Sequence, residues 1–457
     1  MNILITGATG LIGKELGKAL AEKGHKIFAV TRDERKARSL LPFPCEIIPG
    51  DLMKGAFKDD RMQSIEAVIN LMGEPVVGLR WSSDLKKKIY DSRVLGTKHL
   101  VESLPRTVKT FVAGSAIGIY GDCGDEICEE GRGSGKDFLA ALTVDWEKEA
   151  AKAPGRITFI RTGVVLSSHG GAMEQMLFPF KAGVGGILGD GKQWMSWIHI
   201  NDIVGLFLFA LENSQVHGPI NGVAPNPVTN KEFSKTLAES LGRPLGLPVP
   251  KVAIKAMYGE AADTIVCSIR GSAKKSESLG YQFQYKELKH ALDEICAPFK
   301  AGEEIFYAEQ FVSIPPEELF TFFREPQNLE QITPPSLKFE IQAVSTPQIQ
   351  EGTLIDYNLK IHGVPAKWKT EINEWHPPYK FVDNQLKGPY SLWHHTHEFR
   401  PFCGGTLMVD RVRYRLPMGY LGWLVAGAFV KKDVTQIFKF RKEFIAKMNL
   451  HEKEIQS

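Results

Sequence analysis

At 457 residues the chain is too long for one ordinary domain, so two or three are expected. A hydrophobic fraction of 43% supports packed cores, and a net charge of +3 is too small to imply a nucleic-acid partner. Its longest apolar runs fall short of a membrane span, so no transmembrane segment is expected. The six scattered cysteines have no disulfide or metal spacing, so a reducing, cytoplasmic setting is expected.

The first residues already read as a buried strand, 2–6, which leaves no room for a signal peptide. Three glycines follow at spacing G-x-x-G-x-x-G (Gly7-Ala8-Thr9-Gly10-Leu11-Ile12-Gly13), then a helical pattern over 14–23 with Leu16, Ala19 and Leu20 on one face, then a second strand over 26–30. A β-α-β unit of about 30 residues with glycines at its first turn is the layout of a dinucleotide phosphate site. Further strands are expected at 45–49, 66–71, 109–114 and 157–161, with helices at 83–103 and 137–152 between them. Alternation of this kind predicts an α/β fold with a doubly wound parallel sheet. Beyond 161 the text is rich in glycine; 183–202 reads as a substrate-side excursion, and helices at 201–212, 230–242 and 285–296 fill a smaller lobe within 165–296.

Residues 297–302 read as a linker between a first domain, 1–296, and a second, 303–457. In the second, apolar residues lie two apart: Ile355, Tyr357, Leu359 and Ile361, then Val412, Tyr414 and Leu416 between arginines. Period two marks antiparallel strands with one packed face. A long helix near 419–449 follows, with Val434, Phe438 and Ile445 on one stripe. The expectation is an α+β domain in which a curved sheet grips one helix and leaves an apolar cavity.

In the cofactor site, the backbone of Gly7, Thr9, Gly10, Leu11, Ile12 and Gly13 is expected to hold a pyrophosphate. Arg32, just past the second strand, favours a 2′-phosphate and hence NADP; the adjacent Asp33 keeps NAD open as the alternative. Asp51, at the end of the third strand, is placed to bond an adenine amino group. Asn70, Leu71 and Gly73 end the fourth strand beside the cofactor path.

These residues resemble the extended short-chain dehydrogenase/reductase superfamily and, more narrowly, its atypical epimerase family protein branch. The resemblance covers residues 1 to about 296. Beyond the glycines it rests on Asn70-Leu71-Met72-Gly73, Arg80-Trp81, Ser92-Arg93-Val94 with Thr97, and Ser115-Ala116-Ile117-Gly118-Ile119-Tyr120-Gly121-Asp122. It also rests on Asp145-Trp146-Glu147 and Trp197-Ile198-His199-Ile200-Asn201-Asp202. The resemblance implies a Ser, Tyr and Lys acting on a cofactor-bound substrate. Here Phe138 stands where the tyrosine would be and Leu142 where the lysine would be; Ala116, not Ser115, holds the usual hydroxyl position. Ser115, Tyr120 and His199 are the substitutes nominated, while Lys88 and Arg93 read as solvated charges.

Residues 303–457 resemble the START-like, polyketide-cyclase-type ligand-binding superfamily, through Pro315-Pro316-Glu317-Glu318-Leu319-Phe320, Trp368, Phe381-Val382-Asp383-Asn384-Gln385, Trp393-His394-His395-Thr396-His397 and the final helix. That implies a small hydrophobic ligand between sheet and helix, and the apolar run 418–430 is expected to line its cavity. His395 and His397 share a strand face, but no third ligand has evident spacing, so no metal is expected. Two functions stay open. One is an NADP-dependent oxidoreductase or epimerase acting on an apolar carbonyl or alcohol. The other is a non-catalytic, NADP-binding sensor.

Overall fold

The computed structural model describes residues 1–76, 80–299 and 303–455, so Lys300 to Gly302 of the expected linker lie outside the described residues. The chain divides into two compact units. One comprises Met1–Arg32 and Cys45–Ala297; the other comprises Asp33–Pro44 and the chain from Pro298 on.

The first unit is built on β1 (Asn2–Thr6), α1 (Leu11–Glu22), β2 (Lys26–Thr31), β3 (Glu46–Pro49), β4 (Ala67–Asn70) and α3 (Ser83–Ser103), with α2 (Glu34–Leu40) assigned to the other unit. It continues through β5 (Thr110–Ala116), α4 (Phe138–Ala150), β6 (Arg156–Thr162), α5 (Ile200–Glu212) and β7 (Gly218–Gly222). These seven strands pair in parallel, in the order β7-β6-β5-β4-β1-β2-β3. Both faces of such a sheet are covered, which is why the strands read as unbroken apolar runs. Leu4, Phe28, Val68 and Phe111 form one buried face with Leu100 of α3 and Ala150 of α4. Ile3 and Ile5 alternate to the other face and are fully buried. Strand order reverses between β1 and β4, and a doubly wound sheet opens a ligand crevice at the carboxyl ends of those two strands.

The smaller lobe carries α6 (Asn230–Ser240), started by a reciprocal capping box between Thr229 and Glu232, and α7 (Leu288–Cys296), which packs on it. The start of α7 falls three residues later than the pattern predicts. The N–H groups of Gln284 and Tyr285 donate to the buried Asp202 carboxylate, at 2.8 and 2.9 Å, and this holds the approach segment outside the helix.

The second unit holds β8 (Glu303–Val312), α8 (Pro316–Arg324), β9 (Glu340–Val344), β10 (Leu354–Ile361), β11 (Val364–His376), β12 (Lys380–Lys387), β13 (Leu392–Phe402), β14 (Gly405–Arg415) and α9 (Tyr420–Ile455). The seven strands are antiparallel in the order β8-β14-β13-β12-β11-β10-β9, a meander with β8 returning to pair with β14. Helix α9 lays Val434 and Phe438 against Val412 and Tyr414, with Phe306 stacked on Phe438 at 4.4 Å, and places Ile445 against Phe399 and Met408. The expectation that 418–430 lines a cavity is corrected here. Only a stripe of the helix can face the sheet. Trp423 takes that side, its indole N–H donating to Glu304, while Leu421 and Val425 stay 60% and 88% exposed. Among the described residues no helix is long and apolar enough to cross a membrane.

Candidate functional site

The glycine loop joins β1 to α1 at the reversal point of the sheet. Gly7 adopts φ +68°, and a Cβ there would stand 2.6 Å from the Leu71 carbonyl oxygen at the end of β4. At Gly13 a Cβ would meet the Gly7 carbonyl oxygen at 2.3 Å, so only glycine lets the helix seat against the turn. Gly10 is the N-cap of α1 and no side chain caps that helix; Thr9 and Gly10 are exposed, and Leu11 and Ile12 open the first turn. A 12-residue helix therefore presents uncapped N–H groups and its positive dipole end beside bare backbone. That is the geometry that receives a pyrophosphate.

Around this loop the expected cofactor contacts separate into those that face outward and those already engaged. Arg32 is exposed just beyond β2. Asp33 caps the next helix, its Oδ1 accepting from the Lys36 N–H at 3.0 Å. Asp51 Oδ1 accepts from the Met53 N–H at 3.1 Å, so that oxygen closes its own turn. Asn70 ends β4. It is fully buried, its Oδ1 accepts from Thr6 Oγ1 at 2.6 Å, and its Nδ2 donates to Thr97 Oγ1 at 2.9 Å. These bonds tie the end of β4 to β1 and α3, just ahead of Leu71 and Gly73. Arg93, expected in solvent, lies folded beneath Gly73. It donates to the Glu74 and Ile89 carbonyls at 2.9 and 3.3 Å and stacks over Trp146, and burial pushes it down to about 10.

The three nominated catalytic groups each hold an internal hydrogen bond. Ser115 Oγ donates to Glu147 Oε1 at 2.6 Å, and Glu147 receives Arg161 through two bonds of 2.9 Å. Arg161 NH1 also donates to the Tyr120 hydroxyl at 3.0 Å, and Tyr120 in turn donates to Asn221 Oδ1 at 2.7 Å. Burial opposes the Arg161 charge, but the Glu147 carboxylate holds it above its ordinary range. Burial pushes Tyr120 up to about 12. Both hydroxyl protons are thus committed inside one buried network. His199 is the N-cap of α5: its Nδ1 accepts from the Asn201 N–H at 3.2 Å. The ring proton therefore sits on Nε2, 3.1 Å from Glu294 Oε2, and the ring stacks on Tyr285 at 3.7 Å. A charged group that the spacing did not mark, Lys86, lies beside Phe138. Its Nζ lies 4.6 Å over the Phe138 ring and 2.7 Å from Glu260 Oε1, in partial contact with solvent. Leu142 is buried. Nothing in the spacing along α3 marks Lys86, because its neighbours come from α4 and from the lobe.

In the second unit, His395 and His397 do share a buried face, and β12 brings Asp383 into register opposite His395. Asp383 Oδ2 lies 3.2 Å from His395 Nδ1 and 3.0 Å from His397 Nε2. Asp410 Oδ1 lies 3.0 Å from His395 Nε2 and 3.1 Å from His397 Nδ1. Sequence spacing missed the two aspartates because cross-strand register is not written within one strand. Desolvation opposes ionisation at both carboxyls, yet the imidazoles hold them below the usual range.

The sequence of residues 3–221 matches the NAD dependent epimerase/dehydratase family, and residues 249–295 match a domain of unknown function, DUF1731. The "Epimerase family protein YfhF" of Bacillus subtilis is 35% identical over 307 residues, 66% of this chain and 99% of that protein. The chloroplastic "Epimerase family protein SDR39U1 homolog" of Arabidopsis thaliana is 39% identical over 300 residues, 64% of this chain and 86% of its own length. The crystal structure of human epimerase family protein SDR39U1 with NADPH superposes with a TM-score of 0.58 at 33% identity, covering 65% of this chain and 99% of that one. By its glycine cradle, its strand order and these relatives, the chain belongs to the NAD-dependent epimerase/dehydratase family.

Proposed function

We propose that this protein binds NADP in the cradle between β1 and α1 and holds it without the tyrosine–lysine proton relay of the wider superfamily. The observation that carries the reading is the uncapped start of α1 beside an exposed Arg32, with the competing Asp33 carboxylate occupied as a helix cap. A free acid at that strand end would favour the ribose hydroxyls of NAD; an arginine favours a 2′-phosphate. The NADPH in the human relative's structure agrees with this. Because Ser115, Tyr120 and His199 are internally bonded, the best-supported role is cofactor binding that reports on, or regulates, a partner activity.

A second reading is favoured by Lys86. NADP supplies a hydride or accepts one, and an oxidoreductase or epimerase working on an apolar carbonyl or alcohol also needs a group to move a proton. Lys86 supports this reading: it lies beside Phe138, is partly open to solvent, and carries a titratable amine. In the second unit we infer a START-like helix-grip domain for a small hydrophobic ligand. Support comes from Tyr390, Trp393 and Tyr357, which keep accessible surface around the buried Trp368. The six free thiols agree with a reducing, cytoplasmic location.

Fluorescence titration tests the first claim. NADPH should bind at least roughly tenfold more tightly than NADH, and Arg32→Ala should remove that preference. A folded protein that binds neither nucleotide would overturn the reading. NADPH consumption across a panel of hydrophobic carbonyls, lost in Lys86→Met, would establish the enzymatic reading over the regulatory one. Mass spectrometry of small molecules retained by the purified protein tests the START-like assignment.

A further inference from the structure

We propose that Asp383, His395 and His397 form a binding site for one divalent first-row transition-metal ion inside the second unit. The three ligand atoms, one from each residue, lie within 4.8 Å of one another. In a site with metal–ligand bonds of about 2.1 Å, adjacent ligand atoms stand roughly 3.0 Å apart for octahedral geometry and roughly 3.4 Å for tetrahedral. The separations from Asp383 Oδ2, 3.2 Å to His395 Nδ1 and 3.0 Å to His397 Nε2, fall on those edges. Two imidazoles and one carboxylate on a single face form a two-histidine, one-carboxylate triad, a donor set suited to zinc, iron(II) or cobalt(II).

The surroundings fit a metal better than they fit a cluster closed by hydrogen bonds alone. Four nitrogen–carboxylate contacts of 3.0–3.2 Å surround the two rings. Only His395 Nε2 to Asp410 and His397 Nε2 to Asp383 are aligned hydrogen bonds, so the Nδ1 atom of each ring faces a carboxylate without one. With a metal among Asp383, His395 Nδ1 and His397 Nε2, those two nitrogens give lone pairs to the ion. Of the two remaining nitrogens, His395 Nε2 donates to Asp410 at 3.0 Å, and His397 Nδ1 lies 3.1 Å from the same oxygen. A carboxylate behind ligating imidazoles is the usual outer partner that fixes ring orientation. Arg441, 3.5 Å from Asp410, balances the second carboxylate. Around them, His397 Nδ1 and Arg441 Nε and NH1 are buried and lack an aligned hydrogen-bond partner.

The open coordination positions have a direction. The Asp383 side chain keeps 17% of its surface, while both histidines keep 4%. Desolvation dominates the ionisation of Tyr357, yet it too retains accessible surface. A bound ion would therefore keep exchangeable positions on the side where Asp383 and Tyr357 retain surface. The ligand class that follows is an apolar molecule bearing a carboxylate or carbonyl oxygen.

The test uses the untagged, full-length protein stripped by a chelator, titrated with Zn²⁺ by calorimetry and with Co²⁺ by visible absorption. The expected result is one equivalent of either ion at micromolar affinity or tighter. Asp383→Asn and His397→Gln should weaken it roughly 100-fold, and Asp410→Asn roughly 10-fold to 100-fold. Should those variants fail to fold, the Co²⁺-loaded wild type should still show two downfield-shifted, exchangeable imidazole N–H proton signals. Failure of the wild type to bind either ion, unchanged binding in folded Asp383→Asn and His397→Gln, or a Co²⁺ form without those signals would overturn the proposal.

Discussion

Replacing Tyr120 with phenylalanine separates a structural hydroxyl from a catalytic one. The ring keeps its volume and loses one oxygen. Asn221 Oδ1 loses the donor at 2.7 Å and is left buried, while Arg161 NH1 keeps its 3.0 Å bond to the Glu130 carbonyl. One buried acceptor without a partner costs about 1–3 kcal/mol. For a unit of this size that lowers the thermal midpoint by roughly 2–8 °C. Glu147→Gln goes further, because it strips the counter-charge from a buried guanidinium bound at 2.9 Å through two nitrogens. Breaking such a pair costs about 3–5 kcal/mol. Scanning calorimetry reads both losses, and NADPH titration of the folded Tyr120→Phe protein should give an affinity within about twofold of wild type, less than about 0.4 kcal/mol. An unchanged thermal midpoint together with a large loss of NADPH affinity or turnover would refute the structural assignment.

Other outcomes follow from the same coordinates. Gly13→Ala places a methyl 2.3 Å from the Gly7 carbonyl oxygen, so the loop must open; NADPH affinity should fall roughly tenfold or more by fluorescence titration, with the fold retained. The Glu303 carboxyl is opposed by burial, but Arg413 and Arg415 hold it below its usual range. A depressed carboxylate contributes stability above its unfolded value, about 4.3, and that stability is lost as pH falls through the folded value. Glu303→Gln should therefore flatten the acid limb of a thermal-midpoint-versus-pH curve below about pH 5. Trp423→Ala should destabilise the protein by about 3–5 kcal/mol, whereas Val425→Glu, two residues on and 88% exposed, should change stability by no more than about 0.5 kcal/mol in urea unfolding.

What the sequence disclosed follows the range of the interactions involved. The strand at 2–6 and the helix at 83–103 appear where their periodicity puts them, because a pattern of two or 3.6 is local. The glycine cradle was legible for the same reason, whereas Phe138 and Leu142 standing in the tyrosine and lysine positions is what the family resemblance implies. Side-chain roles were not legible where partners are distant. Ser115 meets Glu147 across 32 residues, Tyr120 meets Asn221 across 101, and His199 meets Glu294 across 95. Each looked reactive because the atom occupying it was out of view. Asp383 shows the converse: it reads as an ordinary strand polar residue until antiparallel register sets it against His395.

The bare N-cap of α1 has a further consequence, for the lifetime of the protein. A helix that begins on Gly10 with no capping side chain leaves its first amides to water until a phosphate arrives. On the NADP-binding reading, the nucleotide is therefore the missing cap, and the first unit is less stable alone than when loaded. Nucleotide at a hundredfold excess over its dissociation constant adds about 2.7 kcal/mol to the folded state. That lowers the unfolded fraction open to proteolysis about a hundredfold. Cellular abundance of this chain would then track the size of the dinucleotide pool, whether or not a single hydride is ever exchanged.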